Sequence, residues 1–132
     1  MLKKLASGGD AKAQYRLATA YSFGVGVDKD IKKAIGLFGE AAEQGDADGQ
    51  CALGFRYAYG LGIEKDAVQA AQWFKKAAEQ NHAQAQYFLG IAYYNGDGVE
   101  QNNDIAAVWL RRAAAQGNEE SLCFLKDTMG IL

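Results

Sequence analysis

The chain is written in a 36-residue period that runs without a gap. Ala47 to His82 becomes Ala11 to Asp46 when shifted back by 36 residues, and Ala83 to Asn118 when shifted forward. Leu17, Leu53 and Leu89 coincide, as do Tyr21, Tyr57 and Tyr93. So do the glycine pairs Gly24/Gly26, Gly60/Gly62 and Gly96/Gly98, and the alanine pairs Ala41–Ala42, Ala77–Ala78 and Ala113–Ala114. A unit of this size cannot bury its apolar face alone, so the chain must gain its stability by stacking units. The full units are 11–46, 47–82 and 83–118, with a partial unit at 1–10 and a half unit at 119–132.

Each unit reads as helix, turn, helix. In the first, Asp10 is a good N-cap, and Ala13, Leu17, Ala20 and Tyr21 recur at helical spacing as one buried stripe. Gly24-Val25-Gly26 breaks that helix near Phe23, because glycine accepts a positive φ that a β-carbon resists. Val27 then plugs the turn, as Ile63 and Val99 do later. Asp28 or Asp30 caps the second helix, whose buried face is Ala34, Phe38, Ala41 and Ala42 and whose stop is Gly45. The second unit repeats the plan with Asp66 as cap, Trp73, Phe74, Ala77 and Ala78 inside, and Asn81 as stop. In the third, Asn102 or Asn103 caps, Trp109, Leu110, Ala113 and Ala114 pack, and Gly117 stops. Residues 1–10 match the end of a second helix, and 119–132 form one more first helix with Leu125 and Met129 in core register. The fold class is therefore all-α, with about eight helices.

Composition narrows the function. Of 132 residues, 49% are hydrophobic and 23% charged, with no proline, which excludes a disordered or polyproline chain. A net charge of −2 argues against nucleic acid as a partner. No apolar run reaches the roughly 18 residues of a membrane span, and Met1-Leu-Lys-Lys-Leu-Ala lacks the apolar core of a signal peptide. Cys51 and Cys123 lie 72 residues apart, two whole periods. With several helices between them, each about 8–10 Å from the next, they exceed the roughly 7 Å reach of a disulfide. Both read as reduced thiols, in keeping with a cytoplasmic setting, the alternative being a periplasmic or secreted one reached by a signal peptide since removed.

The run Ala-x-Ala-Gln-Tyr-x-Leu, then Tyr, Gly-x-Gly-Val and Ala-x-x-Trp-x-x-x-Ala-Ala-x-x-Gly resembles the Sel1-like repeat, a relative of the tetratricopeptide repeat. The resemblance covers essentially the whole chain. It implies an α/α right-handed superhelix whose first helices line a concave groove. It also implies protein–protein recognition: adaptors, assembly factors and, in bacteria, proteins acting at the envelope or against hosts and competitors. One secreted branch carries a cysteine pair in every repeat and is linked to weak β-lactam binding and hydrolysis; this sequence lacks those pairs. It departs from the pattern at Ala18, where Gly54 and Gly90 stand in the later units, at Leu37 in place of Trp73 and Trp109, and at Met129 in place of tyrosine.

By analogy with tetratricopeptide grooves, the variable inner positions are the binding positions. They fall on Lys12, Tyr15, Thr19, Ser22 and Phe23; on Asp48, Cys51, Phe55, Ala58 and Tyr59; on Gln84, Tyr87, Ile91, Tyr94 and Asn95; and on Glu120, Cys123 and Asp127. The expected partner face is Thr19, Phe23, Phe55, Tyr59, Tyr87, Ile91, Tyr94 and Asn95, with aromatics as anchors because they bury much area at little entropic cost. For Tyr15, Cys51 and Tyr87, packing against the preceding unit competes with that role. Tyr59 and Tyr94 are expected to face the partner and to leave stability nearly untouched.

Catalytic readings are weaker. The single histidine, His82, reads as an exposed turn residue; it is too few for a metal site. A Cys–His pair with Cys51 or Cys123 lacks an orienting group. The Gly-x-Gly turns follow helices and lack the Gly-Lys-Ser/Thr ending of a phosphate loop, so Gly24, Gly26, Gly60, Gly62, Gly96 and Gly98 are structural. Lys32–Lys33, Lys75–Lys76 and Arg111–Arg112 read as a solvated stripe. No carboxylate pair converges for acid–base work. The expectation is a non-enzymatic module without cofactor or metal that holds a protein or peptide, as an adaptor, an assembly protein or an immunity-type inhibitor. The alternatives are a β-lactamase-like hydrolase and a segment that stacks end to end on its own copies.

Overall fold

The computed structural model describes residues 2–131. It contains α1 (Leu2–Ser7), α2 (Ala11–Phe23), α3 (Ile31–Glu43), α4 (Ala47–Tyr59), α5 (Ala67–Glu79), α6 (Ala83–Asn95), α7 (Asn103–Ala115) and α8 (Glu119–Cys123), with no strand among the described residues. The helices pack in order along a solenoid: α2 on α3, α4 on α5 and α6 on α7 within units, and α3 on α4 and α5 on α6 between them.

The caps lie where the spacing places them. Asp10, Asp46, His82 and Asn118 cap the first helices, each accepting from the backbone N–H three residues on. Asp30, Asp66 and Asn102 cap the second helices in the same way, which resolves the choice at Asp28/Asp30 and at Asn102/Asn103. The N–H of each of these last three also donates to the carbonyl of Tyr21, Tyr57 or Tyr93 at 2.9 Å, tying the turn back to the first helix.

The alanines allow close approach. Ala34, Ala41, Ala77, Ala85, Ala106 and Ala113 have no exposed surface. A β-carbon at Gly49 would come within 2.9 Å of the Ala41 β-carbon. At Gly54 it would meet the Phe74 ring at 2.8 Å, and at Gly90 the Leu110 side chain at 2.6 Å. The first unit accommodates Ala18 in full burial beside Phe38. Trp73 and Trp109 differ from expectation. Both are only half-buried, and Lys76 and Arg112 lie over their outer faces, 4.5 and 4.6 Å from the ring centroids. The second member of each basic pair thus sets its cationic head over an aromatic ring, a use the solvated stripe did not anticipate.

Two repeated devices lock neighbouring units together. One is a glutamine rung. Gln14, Gln50 and Gln86 are buried and donate to the carbonyls of Ala6, Ala42 and Ala78 in the preceding unit. Their own oxygens accept from Gln44, Gln80 and Gln116 at 2.6, 2.9 and 2.9 Å. The other is the second turn glycine. A β-carbon on Gly62 would lie 2.2 Å from Ile31, and one on Gly98 would lie 2.1 Å from the Ala67 carbonyl oxygen, so each turn seats directly on the second helix of the unit before it. Gly26 has the same positive φ but nothing within 4 Å of that position.

The last helix departs from the simple reading. After Cys123 it widens into a π-helical turn over Phe124–Thr128. Leu125 is fully buried, as expected, while Met129 is half-buried. Here the closing bonds are local: the Met129 N–H donates to the Phe124 carbonyl and the Ile131 N–H to the Leu125 carbonyl.

Two predictions follow from this packing. Gly26→Ala should cost about 1–2 kcal/mol, the strain of a left-handed alanine. Gly98→Ala should cost about 2–5 kcal/mol, because overpacking against the Ala67 carbonyl adds to the same strain; urea unfolding of both variants measures the gap. Ser121 stands at the position of Ala13, Gly49 and Ala85, fully buried with its hydroxyl unpartnered. Ser121→Ala should therefore raise stability by about 1 kcal/mol in the same assay.

Candidate functional site

A groove of about 460 Å3 crosses the three first helices. α2 supplies Tyr15, Thr19 and Phe23; α4 supplies Asp48, Cys51, Ala52, Phe55 and Arg56; α6 supplies Gln84 and Phe88. Phe38 of α3 and the cap residue His82 complete the walls. A second, smaller pocket of about 220 Å3 adjoins it, lined by Tyr59, Phe74, Ile91 and Ala92 among others. Phe88 belongs to both cavities. Its ring centroid is 5.5 Å from Phe55, 5.0 Å from Phe74 and 5.5 Å from Tyr87, and Phe55 in turn lies 4.8 Å from Tyr59.

Five of the expected partner-facing residues are thus brought to the two cavities: Thr19, Phe23 and Phe55 to the groove, Tyr59 and Ile91 to the pocket. Phe23 and Tyr59 are 73% and 60% exposed, unusual for such large apolar surfaces on a folded helix. Thr19 spends its hydroxyl on the Tyr15 carbonyl at 3.0 Å. The other three lie elsewhere. Tyr87 is half-buried against Phe88, and its hydroxyl pKa is raised by burial and by the neighbouring Glu120 and Tyr59. Tyr94 packs edge-on against Phe124 at 5.1 Å, so it also holds the last helix and is not a free surface residue. Asn95 is exposed at the end of α6 and lines neither cavity.

An ionic strap runs along one rim. Lys12 Nζ lies 2.8 Å from Asp46 and 2.7 Å from Asp48, and Asp48 is 2.8 Å from His82 Nε2. His82 is therefore no exposed turn residue: its Nδ1 accepts the Ala85 N–H at 3.1 Å, which places the proton on Nε2, facing Asp48. The hydrogen bond from Lys12 holds the Asp48 carboxyl below its ordinary 3.8, against the opposing effect of burial, with His82 helping. Burial pulls the Lys12 ammonium down, but its bonds to Asp46 and Asp48 outweigh this and leave it above 10.5.

The chemistry available is limited. Burial, with Asp48 nearby, pushes the Cys51 thiol up to about 12, so it stays protonated and a poor nucleophile at neutral pH. Both nitrogens of His82 are engaged elsewhere, leaving no base for it. Cys51 and Cys123 are free thiols, one buried and one exposed. Among the described residues no three His, Cys, Asp or Glu converge on a metal position, and no helix is long and apolar enough to cross a membrane.

Residues 11–46, 47–82 and 83–118 each match the Sel1 repeat. The chain belongs to the Sel1 repeat family. Solved Sel1 structures carry the same helical solenoid. A Sel1 repeat protein from Oxalobacter formigenes is 39% identical over 96% of this chain and 95% of its own, with a TM-score of 0.89. A protective antigen present in uropathogenic Escherichia coli strains, displaying an SLR fold, is 34% identical over 98% of this chain but only 28% of its own, with a TM-score of 0.90. Helicobacter pylori cysteine rich protein B is 28% identical over 94% of both chains, with a TM-score of 0.74. No curated protein matches the sequence. The Sel1 fold is typical of protein–protein interaction modules, and its solved relatives here are bacterial.

Phe88 and Arg56 were missed because neither sits at a tetratricopeptide-type binding position. Arg56 nevertheless breaks the repeat, since Ala20, Ala92 and Thr128 stand at the aligned positions, whereas Phe88 differs from Arg16 and Ala52 but recurs as Phe124 in the half unit. For Arg56, a departure from the period at a groove-lining position was the signal.

The strap gives a pH dependence of known sign. Asp48 is depressed in the folded chain, so its contribution is full above pH 3.8 and is lost as pH falls through its lower folded value. Lys12 is raised, so its contribution is full below pH 10.5 and is lost as pH climbs through its higher folded value. Both side chains are about 40% exposed, so Lys12→Met should cost under about 1 kcal/mol at pH 7. In the same variant the Asp48 carboxyl, followed by NMR, should titrate at higher pH than in the wild type.

Proposed function

We propose that this Sel1 repeat chain is a non-enzymatic adaptor that holds an extended segment of another protein in the groove across α2, α4 and α6. The observation that carries the reading is the continuous aromatic surface Tyr59–Phe55–Phe88, with two of its neighbours, the groove and the pocket, open to solvent on either side. Large aromatics left exposed on an otherwise packed helix face supply binding area at low entropic cost. The fixed scaffold behind them keeps that area pre-formed, which lowers the cost of association. A hydrolytic role draws no support from the groove, where the one buried thiol is held protonated and the histidine is committed to a cap and a carboxylate. The free thiols of Cys51 and Cys123 favour a reducing, cytoplasmic setting.

Peptides selected from a random displayed library against the folded chain test the proposal. Tyr59→Ala should weaken the selected peptides about tenfold or more, as an anchor does. Its melting temperature should move by under about 2 °C, because so exposed a side chain contributes little to the fold. Phe23→Ala should behave alike. Selected peptides whose affinity ignores both substitutions would place the binding surface elsewhere.

A further inference from the structure

The charges around the groove are matched unevenly. Lys12, Asp46, Asp48 and His82 satisfy one another along the rim. Arg56 does not take part. Its guanidinium donates to the Ser22 hydroxyl and lies over the Phe38 ring, 5.7 Å from the centroid. Among the described residues no carboxylate lies within 4.0 Å of it. A guanidinium has five N–H donors in a planar fork, and among the described residues it engages a single side-chain acceptor. The group is also partly desolvated, which draws its pKa down from the ordinary arginine value. The fold does not need it: the same position is Ala20 in the first unit and Ala92 in the third. An unpaired cation facing a groove, at a position where the scaffold is content with a methyl group, is placed for an anion from outside.

We propose that the groove reads an acidic side chain, Asp or Glu, within an extended partner segment, the carboxylate forking onto Arg56 while an adjacent large apolar side chain packs on Phe55 and Phe88. The inference rests on the groove reading above and specifies its partner. One fork matches one carboxylate in charge and shape. A phosphate dianion would bring a second charge that one guanidinium does not match. The acid is internal to the segment because the walls continue on both sides of Arg56, through Tyr15 and Thr19 on α2 and through Gln84 and Phe88 on α6.

Three acetylated probes test this against the full chain by NMR titration: acetyl-Phe-Glu-Leu amide, its Gln analogue, and the Gln analogue as a free acid. The Glu amide should shift the signals of Phe55, Phe88 and the Arg56 side chain, with a Kd about tenfold below that of the Gln amide, the size of a charge-assisted pair. Arg56→Gln should erase that difference, and Arg56→Lys should retain only part of it. Equal affinities for the Glu and Gln amides, tighter binding of the free acid, or no binding by any probe would overturn the proposal. Since the Glu/Gln comparison is made on the wild type, a poorly folding variant does not rescue it. If both amides bind in the groove with equal affinity, the groove reading stands and the Arg56 inference falls. If the shifts map elsewhere, both fall.

Discussion

The structure depends on backbones that come almost into contact. Where a turn of one unit meets the second helix of the unit before, the space left is smaller than a methyl group: the β-carbon position of Gly98 is 2.1 Å from the Ala67 carbonyl oxygen. Within a unit, the fully buried alanines do the same for helix against helix. Close approach multiplies dispersion contacts and fixes the distance between units. That distance sets how far apart Phe23, Phe55 and Phe88 stand, and so what the groove can hold.

The fold was legible because the chain states it three times. Leu17, Leu53 and Leu89, with the tyrosines and the turn glycines around them, leave no second way to lay helices on this period. The tail was harder to read. Leu125 keeps its place, but the π-helical turn around it arises from local closing bonds that no spacing of apolar residues encodes. The glutamine rung was visible in the motif as a repeated letter, yet its meaning needed the carbonyl it donates to and the second glutamine it accepts from.

The site was legible only in outline. Of the positions inherited from a related groove, Phe55 and Tyr59 line the two cavities, while Tyr94 packs against Phe124 of the last helix. His82 was misjudged because histidine rarely caps; here its ring takes the role of Asp10 and Asp46 while bonding across to Asp48. The proposed role of Arg56 rests on its being the exception to the period. Three aligned copies act as controls for one another, so a residue present once, such as Arg56 among alanines, is not required by the packing.

The rim strap bears on a hazard peculiar to chains of this kind. Look-alike modules can dock in the wrong sequence, since each offers the next nearly the same apolar surface. The glutamine rungs, being identical, guard against axial slippage but are blind to which module is which. Lys12, Asp48 and Gln84 occupy one aligned position, yet present in turn a cation, an anion and an amide. Lys12 meets Asp48, while Gln84 meets Asn118 instead of a charge. Exchange of any two modules would set these against the wrong neighbour, so the rim labels each hairpin with its rank in the queue.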